Sequence, residues 1–189
     1  MGNAPLQHPD DFDVDFPQEA VEGEANYDND ESPSSRSPVV KWFFRELCRL
    51  TVIKGRIYFK LYSTKSSARS PAELCADVHE LEVELEEWKR TCPIRGHCEQ
   101  DPAAPDFLQG FASIGLRLVH YNCQIMIHRI PPLMNITLFL SPILRSRYHS
   151  QLSGLENQSS LSRAVCLRAA RDSLKLLNSM PWGDMAWVW

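Results

Sequence analysis

Two groups of side chains have the types and spacing for chemistry. Cys92, His97 and Cys98 lie close together in a Pro- and Gly-rich stretch from Thr91 to Pro105. Two thiols and an imidazole suit zinc, which takes four nitrogen or sulfur ligands in a tetrahedral array. No fourth ligand follows at a recognisable spacing, so the stretch is read as a loop without metal. His120, Cys123 and His128 form the second group. A thiol beside imidazoles has the makings of a nucleophile and its base, yet no third group completes a triad. A cysteine borne on a helix is more commonly a small core hydrophobe. There is no GxGxxG, P-loop, HExxH or GxSxG, and no CxxC pair. The many carboxylates fall on polar helix faces or in an acidic stretch, where no desolvation tunes them for acid–base work. The sequence therefore predicts a non-enzyme with no catalytic, metal or cofactor-binding residue.

The element that must position the second group runs from Phe107 to Pro132. Phe107, Phe111, Ile114, Leu118, Tyr121 and Ile125 recur at three- and four-residue steps, one face of a helix. Leu116, Val119, Met126 and Ile127 fill much of the remaining circumference, so this helix is expected to be buried on most sides at the centre of a bundle. Asp106 is a suitable cap, and Pro131-Pro132 should end it. Arg117, His120, His128 and Arg129 make it too polar to span a bilayer.

A chain of 189 residues supports one domain with a sizeable core. Its net charge of −4 is unevenly spread: ten acids precede Arg36, with no Lys or Arg among them, and the remainder carries +6. Six scattered cysteines and a polar, acidic start favour a reducing intracellular compartment, in which the sequons at Asn135 and Asn157 carry no glycan. Residues 1–36 are acidic and poor in large apolar groups, too few to offset the entropy of ordering, and are expected to form a disordered tail. Phe12, Val14 and Phe16 alternate with acids there and offer an apolar strip able to dock on a basic face.

Ser37 and Pro38 open the next helix, with Val39, Phe43, Leu47, Leu50, Ile57 and Leu61 as its buried stripe. Lys41, Arg45, Arg49, Arg56 and Lys60 line another face, and Glu46 is the only acid as far as Lys65. That basic face is read as solvated or paired within the chain rather than as a nucleic-acid surface. After a small-residue connection, Ser70-Pro71-Ala72-Glu73 reads as a capping box. Leu74, Val78, Leu81, Leu85 and Trp88 then form a narrow seam, too short for a coiled coil, that should pack on the first helix with its acids facing the basic stripe. Residues 132–141 read as a loop or short helix over the core, and 145–159 as an exposed polar loop. A last helix is expected to start at Ser160 or Ser162 and to bury Ala164, Leu167, Ala170 or Arg171, Leu174 and Leu177. Met185 to Trp189 read as the first turn of a further buried helix cut short.

Five segments together resemble the fungal-specific, xylanolytic-activator type regulatory domain, the middle homology region of fungal zinc-cluster transcription factors. They are DDFDVDFPQE (Asp10 to Glu19), LCRLTVIKGRIYFKLYSTKSS (Leu47 to Ser67) and the following ELCADVHELEVELEEWKRTCP. LRLVHYNCQIMIHRIPPL (Leu116 to Leu133) and CLRAARDSLKLLNSM (Cys166 to Met180) complete the set. Their order and spacing carry the resemblance, which covers nearly the whole chain from Asp10. Ile130 intervenes where the family's bend reads Arg-Pro, and the family's six-cysteine zinc cluster has no counterpart among these cysteines.

The resemblance implies an all-α irregular bundle, with residues 1–36 as acidic tail and 37–189 as a helical regulatory domain truncated at its C-terminus. It implies transcription regulation in the nucleus, with coregulator proteins or a small-molecule effector as partners and no membrane. Zinc and DNA binding would belong to the full-length family and to a cluster absent from this chain. The alternative is a free-standing helical scaffold or adaptor.

Overall fold

The computed structural model describes residues 38–64, 66–92 and 107–179. All of the regular structure in these residues is helical, with no strand. The acidic stretch, His97, Cys98 and residues 180–189, with the expectations placed on them, lie outside the described residues.

Helix α1 (Pro38–Leu61) buries Leu50, Ile53, Ile57 and Leu61, with Phe43 and Leu47 packed at the edge. A short 3-10 turn, Ser66–Ala68, leads to α2 (Pro71–Thr91). The capping box at its start is complete: the Glu73 N–H donates to Ser70 Oγ at 3.3 Å, and the Ser70 N–H donates back to the Glu73 carboxylate at 2.7 Å. That return contact, joined by the Ser70 hydroxyl, holds the Glu73 carboxyl below its ordinary range. The seam of α2 is buried at Val78, Leu81, Leu85 and Trp88 and packs on α1 and α3, as its spacing predicts.

Helix α3 (Phe107–His128) touches α1, α2, α6 and α4 and is the centre of the bundle, as expected. Its most deeply buried face is Ala112, Leu116, His120, Cys123 and Ile127. The face chosen from the sequence is displaced from this one, and Ile114, Leu118, Tyr121 and Ile125 are half-buried on the flanks. The difference has a steric cause. Ala112 and Cys123 are small enough for neighbouring helices to approach closely, and bulk alone does not mark the closest contact.

Pro131 and Pro132 do not simply end α3. They occupy the first turn of α4 (Ile130–Leu140), where a missing N–H costs nothing because no acceptor exists for it in the helix. A short α5 (Pro142–Arg147) and a 3-10 turn (His149–Gln151) follow.

Two expectations fail at α6, which spans Leu152–Asn178. The supposed polar loop is mostly helix, and the last helix starts about two turns before Ser160. Its inward side runs through Leu155, Ser159, Ser162 and Ala169, while Leu167 and Leu174 are 56% and 67% exposed. Serine and alanine on that side allow α6 to lie close against α3 and α4. The face expected from the large apolar residues is rotated away from this side, with Ala170 and Leu177 half-buried at the border between the two.

Candidate functional site

The basic face of α1 is largely engaged within the chain. Arg56 pairs with Glu84, Lys60 with Asp77 and Glu80, and Arg69 of the connection also reaches Asp77. The acids of α2 thus complement the basic stripe, as the sequence suggested, and compete with any docking of the acidic strip there.

One acid of α1 is set apart. Glu46 is 3% exposed, accepts the Trp88 indole N–H at 2.9 Å, and pairs with Arg49 at 3.1 Å. Arg49 also donates to Thr91 Oγ1 at 3.1 Å, so this relay clamps α1 to the last turn of α2. A buried indole N–H needs an acceptor, and a carboxylate held by a guanidinium is a strong one.

Trp88, fixed in this way, forms part of the wall of a cleft of about 470 Å³ between α2, α3 and α6. His120 stacks against it, with ring centroids 5.7 Å apart and planes inclined by 27°. Tyr121 meets His120 edge-on at 5.7 Å. Cys92, Gln124, Val165 and Ala169 complete the uncharged lining, and the charged rim comes from Glu82, Glu86, Lys89, Arg117, Arg168 and Asp172.

His120 is 5% exposed, and its Nε2 has no hydrogen-bond partner. Burial pushes its pKa down to about 4, helped by Lys89 and Arg117 and opposed by Glu86, so the imidazole is neutral near pH 7. Cys123 lies one turn further on, fully buried, and its thiol is pushed up to about 11 by burial, with Lys54 acting weakly in the other direction. A thiol with so little thiolate and an imidazole with so little affinity for protons do not form an activated nucleophile and base. Cys123 is the core hydrophobe that its place on a helix suggested. Burial likewise raises the Cys75 thiol, and it raises the Cys166 thiol against the pull of Arg129. Among the described residues no group of three His, Cys, Asp or Glu side chains is placed to hold a metal ion.

His128 joins three helices. Its Nδ1 is 3.4 Å from Ser162 Oγ and its Nε2 is 3.7 Å from Glu82. Burial lowers its pKa, and Glu82 opposes that. A second, more apolar cleft of about 1050 Å³ opens where the end of α1 meets the α3–α4 bend and α6. Tyr62 lies there with its hydroxyl donating to the Met126 carbonyl and accepting from Arg129 Nε at 2.6 Å, while the Arg129 guanidinium lies 4.6 Å from the centre of its ring. The Arg129 of the resemblance motif thus ties α1 to the end of α3.

The sequence reading of Cys123 as a core hydrophobe agrees with its burial, whereas that reading gave no site role to Glu46, Arg117 or Arg168. The one available signal was Glu46, a lone acid in a basic stripe whose partner had to be sought elsewhere. Nothing in the spacing joins Arg117 to Arg168.

The described residues thus form a helical bundle with an aromatic-walled cleft, in whose wall the buried His120 Nε2 has no hydrogen-bond partner. Over its whole length the chain is similar to fungal transcription factors. It is 34% identical over 191 aligned positions to an ABC-transporter-regulating transcription factor of Aspergillus oryzae, and 32% identical to one of the same description from Aspergillus fumigatus. The alignments take in 100% of this chain and 20% of each relative, so the chain spans about a fifth of the length of the relatives it matches. No family model matches the chain, and no solved structure matches it.

Proposed function

We infer that this chain is a non-enzymatic regulatory segment of a fungal transcription factor that controls genes for ABC transporters. The observation that carries this is similarity from end to end to two relatives bearing that description. The order of motifs, with the LRLVHYNCQIMIHRIPPL helix at the centre of the bundle, supports the finer assignment to the middle homology region. In this reading the protein works in the nucleus. Zinc and base recognition are assigned to a cluster elsewhere in a larger molecule, whose output the segment of 37–189 governs through coregulators or an effector.

A chimera tests the reading. The matching fifth of the Aspergillus oryzae relative is replaced by this chain, and ABC-transporter transcripts are measured with and without a toxic challenge. Inducible transcripts are expected. A chimera that accumulates normally but behaves like a deletion of the segment overturns the reading in favour of an unrelated helical scaffold. The isolated chain is expected to give only salt-labile, unselective shifts with DNA, since phosphate contacts alone weaken steeply with salt. A salt-resistant, sequence-selective complex would contradict that.

A further inference from the structure

We propose that the cleft between α2, α3 and α6 is a binding site for a small planar aromatic carboxylate, whose ring lies against Trp88, His120 and Tyr121 and whose carboxylate meets Arg117, Arg168 and the His120 imidazole. Four observations select this chemistry.

The first is size and wall. A volume of about 470 Å³ lies within the range of roughly 300–1,000 Å³ usual for small-molecule pockets. Three aromatic rings on one side favour a flat, polarizable partner over a branched aliphatic one.

The second is the orphaned polar atom. A buried Nε2 with no partner loses the hydrogen bond it has in water, a loss that native interiors rarely leave uncompensated. The neutral imidazole can carry its proton on Nε2 and donate it to a ligand oxygen.

The third is the balance of charge. Two of the rim acids have a cationic partner, Glu86 with Lys89 at 3.4 Å and Asp172 with Lys175 at 3.5 Å, while Glu82 lies 3.7 Å from the buried His128 imidazole. Arg117 and Arg168 have no ion-pair partner among the described residues, and a guanidinium matches a carboxylate with paired, charge-assisted hydrogen bonds. An anion therefore fits this rim better than a cation.

The fourth is rigidity. The Glu46–Trp88 hydrogen bond fixes the indole from behind, so one wall is set before a ligand arrives.

An effector role for such a ligand rests on the regulatory reading above. Binding does not, and it can be measured on the chain by itself. The probe is 2-naphthoate, with neutral 2-naphthamide as a control of the same shape, added to the full 189-residue chain. Calorimetry gives affinity, and NMR of the Trp88 indole and His120 imidazole gives location. Naphthoate is expected to bind with shifts centred on Trp88, His120 and Tyr121, and the amide about tenfold or more weaker.

An Arg117→Gln, Arg168→Gln double variant, altered only at the rim, should lose about tenfold in naphthoate affinity. His120→Phe keeps a ring against Trp88 and removes the donor, and should weaken naphthoate more than the amide. Bound carboxylate should also raise the His120 titration midpoint, against the fixed background of Glu82, Glu86 and Lys89 from α2, Arg117 from α3, and Arg168 and Asp172 from α6. Equal affinity for acid and amide overturns the proposal. So does indifference to the double arginine change, shifts centred on the Tyr62–Arg129 cleft, or no binding at millimolar naphthoate. A negative result here beside an inducible chimera would remove the site and leave the regulatory role standing.

Discussion

Removing the Glu46 carboxylate leaves the Trp88 indole N–H without an acceptor in the interior, and the size of the penalty follows from the geometry. The hydrogen bond is 2.9 Å long, both residues are buried, and the carboxylate is also held by Arg49 at 3.1 Å. A buried donor stripped of its partner costs about 1–3 kcal/mol. The Arg49 pair, about a third exposed on the arginine side, adds at most about 1 kcal/mol. Loss of the one glutamate methylene beyond Cβ adds about 0.8 kcal/mol. Glu46→Ala should therefore destabilise by about 3 kcal/mol, a large part of the roughly 5–15 kcal/mol by which domains are stable. Glu46→Gln keeps an acceptor oxygen and should cost only about 1 kcal/mol. Urea unfolding followed by far-ultraviolet circular dichroism gives both numbers. A double-mutant cycle with Trp88→Phe, which retains a ring and removes the donor, should return a coupling of about 1.5–3 kcal/mol. A coupling below about 0.5 kcal/mol, or a Gln variant as damaged as the Ala variant, would refute the clamp between α1 and α2.

His120 makes stability depend on pH. Its folded pKa of about 4 lies below the ordinary 6.5, so the unfolded chain takes up the proton first and stability falls as pH drops from about 6.5 to 4, then levels off. Relative to His120→Phe, which cancels the contribution of His128 and the carboxylates, the wild-type chain should lose about 2.5 kcal/mol between pH 7 and pH 4.5 in urea titrations. Ser70→Ala removes the capping box of α2 and should cost about 1 kcal/mol, read as a lower urea midpoint. Gly154 lies in α6 with open space where a Cβ would stand, so Gly154→Ala should stabilise by about 0.5–1 kcal/mol in the same assay. The inward side of α6 is tested by a pair: Leu174→Gln should change stability by less than about 0.5 kcal/mol, whereas Ala169→Leu should cost about 1–3 kcal/mol through overpacking. The reverse order would restore the side expected from the leucines.

What the sequence by itself determined is local. The 4-3 spacing of Val78, Leu81, Leu85 and Trp88, the Ser70–Glu73 box and the apolar run from Phe107 to Pro132 each encode a helix within its own residues. Hydrogen bonding and side-chain spacing along one segment are short-range, and so α1, α2 and α3 and the central place of α3 were legible. The opposition of α2 acids to α1 bases was legible too, because charge can be counted segment by segment. Which side of α6 faces inward was decided only by the tertiary structure. Close approach between helices selects small residues such as Ser159, Ser162 and Ala169, and smallness carries no hydrophobic signal. The same limit applies to the cleft. His120, Trp88, Arg117 and Arg168 come from three helices, and neither the stacking of His120 on Trp88 nor the burial that holds it neutral exists until those helices are assembled. A pKa and an orphaned Nε2 are properties of surroundings, and those surroundings lie tens of residues apart in the chain.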